Sequence, residues 1–150
     1  MNQPAFRLIY LGNSCLRLIA ADGTSIVSDP YSEEHPDGLA NLPSDLMADA
    51  VTISHIHADH NNAGAVGGNP QVLTEPGVYE IGKIKVTACM GWEGSPDGPS
   101  KTMRNVVFVF EMDGARVVQL GDSGIITDPR VLKVISNADL VMVNIDGYVI

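Results

Sequence analysis

The sequence predicts an α/β or α+β fold with a large mixed β-sheet and few helices. Three observations carry this. Short β-branched runs recur along the chain, separated by Gly, Pro, Asn and Asp turn signals. Only two segments carry helix-start signals. A cluster of polar side chains follows directly on one apolar strand, as it does when a site is built at a strand end.

The elements follow in order. Residues 6–11 are apolar and β-leaning, and Gly12-Asn13 is a turn signal. Residues 15–20 form a second strand, and Ala21-Asp22-Gly23 is a hairpin turn of the Asp-Gly type. A third strand covers 24–28 and stops at Asp29-Pro30, because proline cannot donate to a ladder. Residues 31–49 are broken by Pro36, Gly38 and Pro43, with a short helix expected near 44–48 behind Ser44 as N-cap. A buried strand at 50–54 runs into the polar cluster. Strands are expected at 71–74, 78–81 and 83–89, and a Gly-, Pro- and Ser-rich loop at 90–103. Residues 105–111, the turn Asp113-Gly114 and residues 116–120 read as a strong hairpin. Asp128-Pro129 opens a helix that runs to about residue 136. A last strand covers 139–145.

The 150 residues fit one domain, 1–150, with a core of its own. At 45% hydrophobic and 18% charged, the chain is globular rather than disordered. Its apolar runs fall well short of the ~20 residues that span a bilayer, so no membrane role is expected. No basic-then-apolar leader is visible at Met1-Asn2-Gln3-Pro4. Cys15 and Cys89 lie far apart and read as small buried hydrophobes, which together point to the cytoplasm. The formal net charge of −9 argues against binding a phosphate backbone, so no nucleic-acid partner is expected.

The cluster is His55-Ile56-His57-Ala58-Asp59-His60, which holds three of the chain's four histidines. Imidazole nitrogen suits zinc, iron and nickel, and a carboxylate adds a hard oxygen donor. Four donors in six residues do not converge comfortably on one tetrahedral ion. Division between two adjacent ions is more natural, with further ligands from elsewhere in the chain. His35 lies apart in Glu34-His35-Pro36 and reads as a loop residue.

The hexapeptide resembles the H-x-H-x-D-H signature of the metallo-β-lactamase-fold hydrolases. The surrounding Thr52-Ile53-Ser54, Leu11-Gly12-Asn13-Ser14-Cys15, Ile26-Val27-Ser28-Asp29-Pro30-Tyr31 and Leu120-Gly121-Asp122 are similar to the branch related to ascorbate-phosphate lactonases. The resemblance implies an αββα sandwich and a centre of one or two ions, zinc first, with manganese or iron as alternatives. It implies His55 and His57 as ligands of one ion, Asp59 and His60 as ligands of the other, and Asp122 as the bridging carboxylate. Asp59 is also the catalytic candidate, orienting the metal-bound hydroxide. A further family histidine has no counterpart here, and Glu93 falls at about its position, with Trp92 beside it as a wall. Lys101 and Arg104 are candidates to hold an anionic group of a small-molecule substrate.

Against the family pattern the chain is expected to lack the usual C-terminal part, leaving the sandwich incomplete and one apolar sheet face uncovered. A homodimer, or a partner that completes the fold, would cover that face, with the interface near the C-terminal strand and Val149-Ile150. Two functions follow. One is a metal-dependent hydrolase acting on a lactone, ester, amide or phosphodiester. The other is a shortened, catalytically degenerate metal-binding or interaction domain that acts as an oligomer.

Overall fold

Apolar residues at every second position give a strand two usable faces, and this chain uses both. On the longest strand, Val106, Phe108, Phe110 and Met112 pack into one core while Val107 and Val109 pack into another. The structure is a computed structural model that describes residues 6–32, 40–95 and 98–145, without the side chains of 94–95 and 98–102.

The described strands are β1 (Phe6–Gly12), β2 (Cys15–Ala20), β3 (Ser25–Ser28), β4 (Ala50–Thr52), β5 (Gln71–Leu73), β6 (Gly77–Ile81), β7 (Ile84–Ser95), β8 (Gly98–Met112), β9 (Ala115–Gln119) and β10 (Leu140–Met142). They form two five-stranded sheets, ordered β1-β2-β3-β4-β5 and β10-β9-β8-β7-β6. In the first, β1 to β3 are antiparallel and β3 to β5 parallel. In the second, β6 to β9 are antiparallel and β10 is parallel to β9.

The sheets pack face to face. Leu16, Leu18 and Ile26 of the first meet Ile84, Val86, Phe108, Phe110 and Val117 of the second in one core. Burial of each phenylalanine there contributes about 1.5–3 kcal/mol. The expected uncovered sheet face is therefore corrected for the described residues: the inner faces cover each other. The outer face of the second sheet carries the helix α1 (Pro129–Ile135), through Val134 and Ile135 against Val107, Val109 and Val118. The outer face of the first is covered by Tyr31, Leu46, Ala48 and Val66.

The helix starts as the sequence predicts. Asp128 is its N-cap, accepting from the Arg130 backbone N–H, and Pro129 opens the first turn. The helix expected near 44–48 is not formed. Leu46, Ala48 and Ala50 are buried while Met47 and Asp49 are exposed, a period of two that fits extended chain, and Met47 bridges Gly67. A five-residue segment has little power to nucleate a helix against that pattern.

The loop expected at 90–103 is also corrected. β7 and β8 run on as a hairpin, pairing Met90 with Val106, Gly91 with Asn105 and Trp92 with Arg104. Gly- and Pro-rich composition hid a ladder made by the backbone. A register shift between Trp92 and Gly94 marks a bulge, which re-aims side chains locally. His35 and Val149-Ile150 lie outside the described residues, as does the Lys101 side chain. Among the described residues no helix is long and apolar enough to cross a membrane. Both cysteines are free, and burial pushes the Cys15 thiol up to about 12, as expected for an inert packing residue.

Candidate metal centre

Four parallel-paired strands deliver their C-terminal ends to one place. Ser28 of β3 pairs with Thr52 of β4, and Gln119 of β9 pairs with Met142 of β10. Asp29 follows β3, His55 follows β4, Asp122 follows β9 and Asn144 follows β10. Rigid strands thus position every group while the loops beyond them supply reach.

The hexapeptide folds back on itself, the His60 N–H donating to the His57 carbonyl at 2.9 Å. This brings the rings of His55 and His60 to 4.1 Å and those of His55 and His57 to 4.7 Å between centroids. Two donor groups result, and they share His55. One is His55, His57 and Glu93; the other is His55, His60 and Asp122. Within each group the ligand atoms all lie within 4.8 Å of one another. Asp59 joins the second, its Oδ2 3.3 Å from His60 Nε2. All six candidate residues of the sequence therefore converge. Arg104 does not join them: its guanidinium pairs with Glu75 at 2.7 Å.

The hydrogen bonds behind the histidines fix which nitrogen is free. Asp29 is fully buried and accepts from the Ser54 N–H, the Ser54 hydroxyl, His60 Nδ1 and Gln119 Nε2. Ser54 spends its one proton on Asp29, so at 2.9 Å its oxygen accepts from His55 Nδ1. His55 Nε2 is then a bare lone pair. It is buried without a hydrogen-bond partner among the described residues, and so is Glu93 Oε1, 3.5 Å away. His57 Nδ1 stands 3.4 Å from the same oxygen. Two ligands each about 2.1 Å from a common ion stand at about this separation. Lone pairs facing carboxylates without a proton between them fit a cation.

Electrostatics divide the histidines. Burial, then the neighbouring His60 and His57, hold His55 down to about 3, so it is a neutral donor. Burial also opposes charge on His60, but the Asp29 hydrogen bond and the charges of Asp29, Asp122 and Asp59 outweigh it and raise its pKa. Asp122 is raised by burial, against the pull of His60 and with the push of Asp59, Glu93 and Asp29.

Sequence reasoning missed the groups that hold the ligands. In the sequence Asp29 signals only a strand stop, yet it takes a left-handed φ of 46° that aspartate tolerates better than most residues. An aspartate ending one parallel strand beside a histidine-bearing neighbour was the available signal. Asn105 accepts from the Asp122 N–H at 3.0 Å and donates to the Leu120 carbonyl, and Asn144 donates to Asp122 Oδ1 at 2.7 Å. Gly121 lets this loop close, because at φ 57° a Cβ there would stand 2.4 Å from Asn105 Oδ1 and 2.7 Å from Ser54 Cβ.

Two cavities flank the centre. One of about 400 Å³ is bounded by Ile53, His55, Ile56, Thr74, Met103 and Val106, with the Glu75–Arg104 pair at its side. The other, about 470 Å³, lies beyond Trp92 against Ile125, Ile126 and Pro129.

Comparison with known proteins gives one consistent picture. The profile of the family described as Beta-lactamase superfamily domain matches residues 7–150. A UPF0173 metal-dependent hydrolase of Thermococcus onnurineus is 25% identical, over 93% of this chain and 71% of that protein. A Thermotoga maritima structure, described as a Zn-dependent hydrolase of the metallo-beta-lactamase superfamily, superposes with TM-score 0.67 at 31% identity. That match covers 89% of this chain and 58% of the solved one, so this chain spans less than two-thirds of that protein. A diiron beta-hydroxylase from Streptomyces venezuelae, at 21% identity and TM-score 0.62 over 93% of this chain and 34% of its own, shares the fold.

Proposed function

The chain belongs to the Beta-lactamase superfamily domain family, and from that premise we propose that it is a metal-dependent hydrolase of small molecules. The observation that carries this is the pair of donor groups sharing His55, with His55 Nε2 and Glu93 Oε1 buried and unpartnered between them. Ions held there would supply Lewis acidity and lower the pKa of a bound water toward neutrality.

The residues of the chain do the rest. His55, His57 and Glu93 would hold one ion, and His60, Asp59 and Asp122 the other; Asp122 stands between the two groups, its Oδ2 3.7 Å from His55 Nε2 and its Oδ1 3.5 Å from His60 Nε2. Asp59, its Oδ2 3.3 Å from His60 Nε2, would be the catalytic carboxylate that orients the nucleophilic water. It is anchored by Asn13, which donates to its carbonyl at 2.9 Å. The cavity beside His55 is mostly apolar and of small-ligand size, so it takes the compact apolar part of the substrate. Because Arg104 is paired with Glu75, a neutral lactone, ester or amide suits this cavity better than a phosphodiester.

Metal-loaded and chelator-stripped protein assayed on lactone, ester, amide and phosphodiester panels test the proposal. Turnover that disappears on stripping and returns on reloading is expected. Bound metal without turnover on any panel would contradict it and favour the degenerate binding domain.

A further inference from the structure

The cavity beside His55 is apolar over most of its wall, through Ile53, Ile56, Met103 and Val106. One charged pair interrupts that wall. Arg104 donates to Glu75 through both terminal nitrogens, Nη2 to Oε2 at 2.7 Å and Nη1 to Oε1 at 3.4 Å. Arg104 is placed by β8, where it pairs with Trp92 across the hairpin. Glu75 is placed by the turn after β5, where its carbonyl accepts from the Tyr79 hydroxyl at 2.8 Å. Among the described residues that line the cavity Arg104 is the one cation, because buried His55 is held neutral.

Both side chains of the pair are half exposed or more, and an ion pair that exposed stabilises a fold little. Its larger consequence is for what enters the cavity. A guanidinium keeps its charge, and its planar fork matches a carboxylate. Left alone, Arg104 would make this apolar cavity a site for carboxylates. With both prongs already on Glu75, an entering carboxylate has to displace one anion and then stand beside it. An uncharged group meets neither penalty.

We propose that Glu75 is a specificity-determining residue of this cavity: by occupying Arg104 it admits uncharged groups and turns away a substrate arm that ends in a carboxylate. The proposal rests on the reading of this cavity as the place of the substrate. It deepens that reading by naming the residue that sets the substrate's charge class.

The test uses matched probes. p-Nitrophenyl pentanoate and mono-p-nitrophenyl glutarate carry acyl chains of equal length, one ending in a methyl group and the other in a carboxylate. The neutral-to-anionic ratio of kcat/KM is measured for metal-loaded wild type, Glu75→Gln, Arg104→Gln and the double variant. Pentanamide and glutaramate are titrated into the same proteins by ligand-observed NMR, which reads binding without turnover. Glu75→Gln should lower both neutral-to-anionic ratios at least about fivefold, the upper range for an exposed ion pair, and by less at high salt. Arg104→Gln should not lower them, and the double variant should return to near the wild-type ratio. Ratios unchanged in Glu75→Gln, or lowered as far in the double variant, would overturn the proposal while leaving hydrolysis in place. Turnover of neither ester by wild type, with the amide binding ratio still shifted in Glu75→Gln, would remove the hydrolase reading and uphold the role of Glu75. Binding of neither amide to any of the four proteins would overturn it.

Discussion

At the His60–Asp122 end of the centre, hydrogen bonds grip the ligands from behind. Asp29 holds His60, Asn144 holds the Asp122 carboxylate, and Asn105 holds its backbone. At the His57–Glu93 end the His57 side chain is 41% exposed, and Glu93 Oε1 has no hydrogen bond among the described residues. The centre is therefore more firmly preorganised at one end than at the other. The gripped end has its ligands tied before any ion arrives, while at the open end Ser54 holds His55 but His57 faces solvent. The gripped end should therefore bind more tightly and exchange more slowly.

Substitutions can break that contrast. Asp122 faces both groups, so Asp122→Ala should abolish it, lowering turnover by more than the roughly 10–100-fold typical of outer partners. Steady-state kinetics with metal analysis reads this. Asp29→Ala leaves His60 and Ser54 without their shared buried partner. It should cost about 3–5 kcal/mol in chemical denaturation, because breaking a buried charged pair strands its other half. The isosteric Asp29→Asn should spare more of the fold and weaken the tighter metal site by about 10–100-fold in calorimetry.

Glu93→Gln sharpens the contrast from the other side. It should lower metal occupancy at the open end while costing the metal-free protein less than Asp29→Ala does, since no hydrogen bond to Oε1 is lost.

The two ends also differ in pH dependence. The pKa of His55 falls on folding from 6.5 to about 3, so the unfolded chain binds the extra proton. Its contribution to metal-free stability is complete above about pH 6.5 and is lost as pH falls toward 3. The pKa of His60 is raised, so its contribution is complete below 6.5 and is lost as pH rises through the folded value. Denaturation of metal-free His55→Asn and His60→Gln across pH should flatten the acid and alkaline limbs respectively.

What the sequence made legible was local. The hexapeptide, the Asp113-Gly114 hairpin and the Asp128-Pro129 helix start each write their structure in adjacent residues, and the two sheets follow from β-branched runs. What it hid was long-range. Asp29 meets His60 across 31 positions, Asn105 meets Asp122 across 17 and Asn144 meets Asp122 across 22. No spacing rule reaches that far without the parallel register of β3 with β4 and of β9 with β10. The 90–103 hairpin was hidden for another reason. Glycine and proline signal a turn, yet a backbone ladder tolerates them where a bulge or an edge lets it.

If the proposal holds, two adjacent donor groups, one of His55, His57 and Glu93 and one of His60, Asp59 and Asp122, bind ions of unequal affinity and support hydrolysis. Calorimetric titration of metal-free protein, with turnover of a hydrolysed substrate followed at each addition, tests it most directly. Two binding events are expected, the tighter one weakened by Asp29→Asn and the weaker by Glu93→Gln, with turnover rising as the second site fills. A single binding event unaffected by Glu93→Gln, or turnover unchanged by removal of all metal, would contradict it.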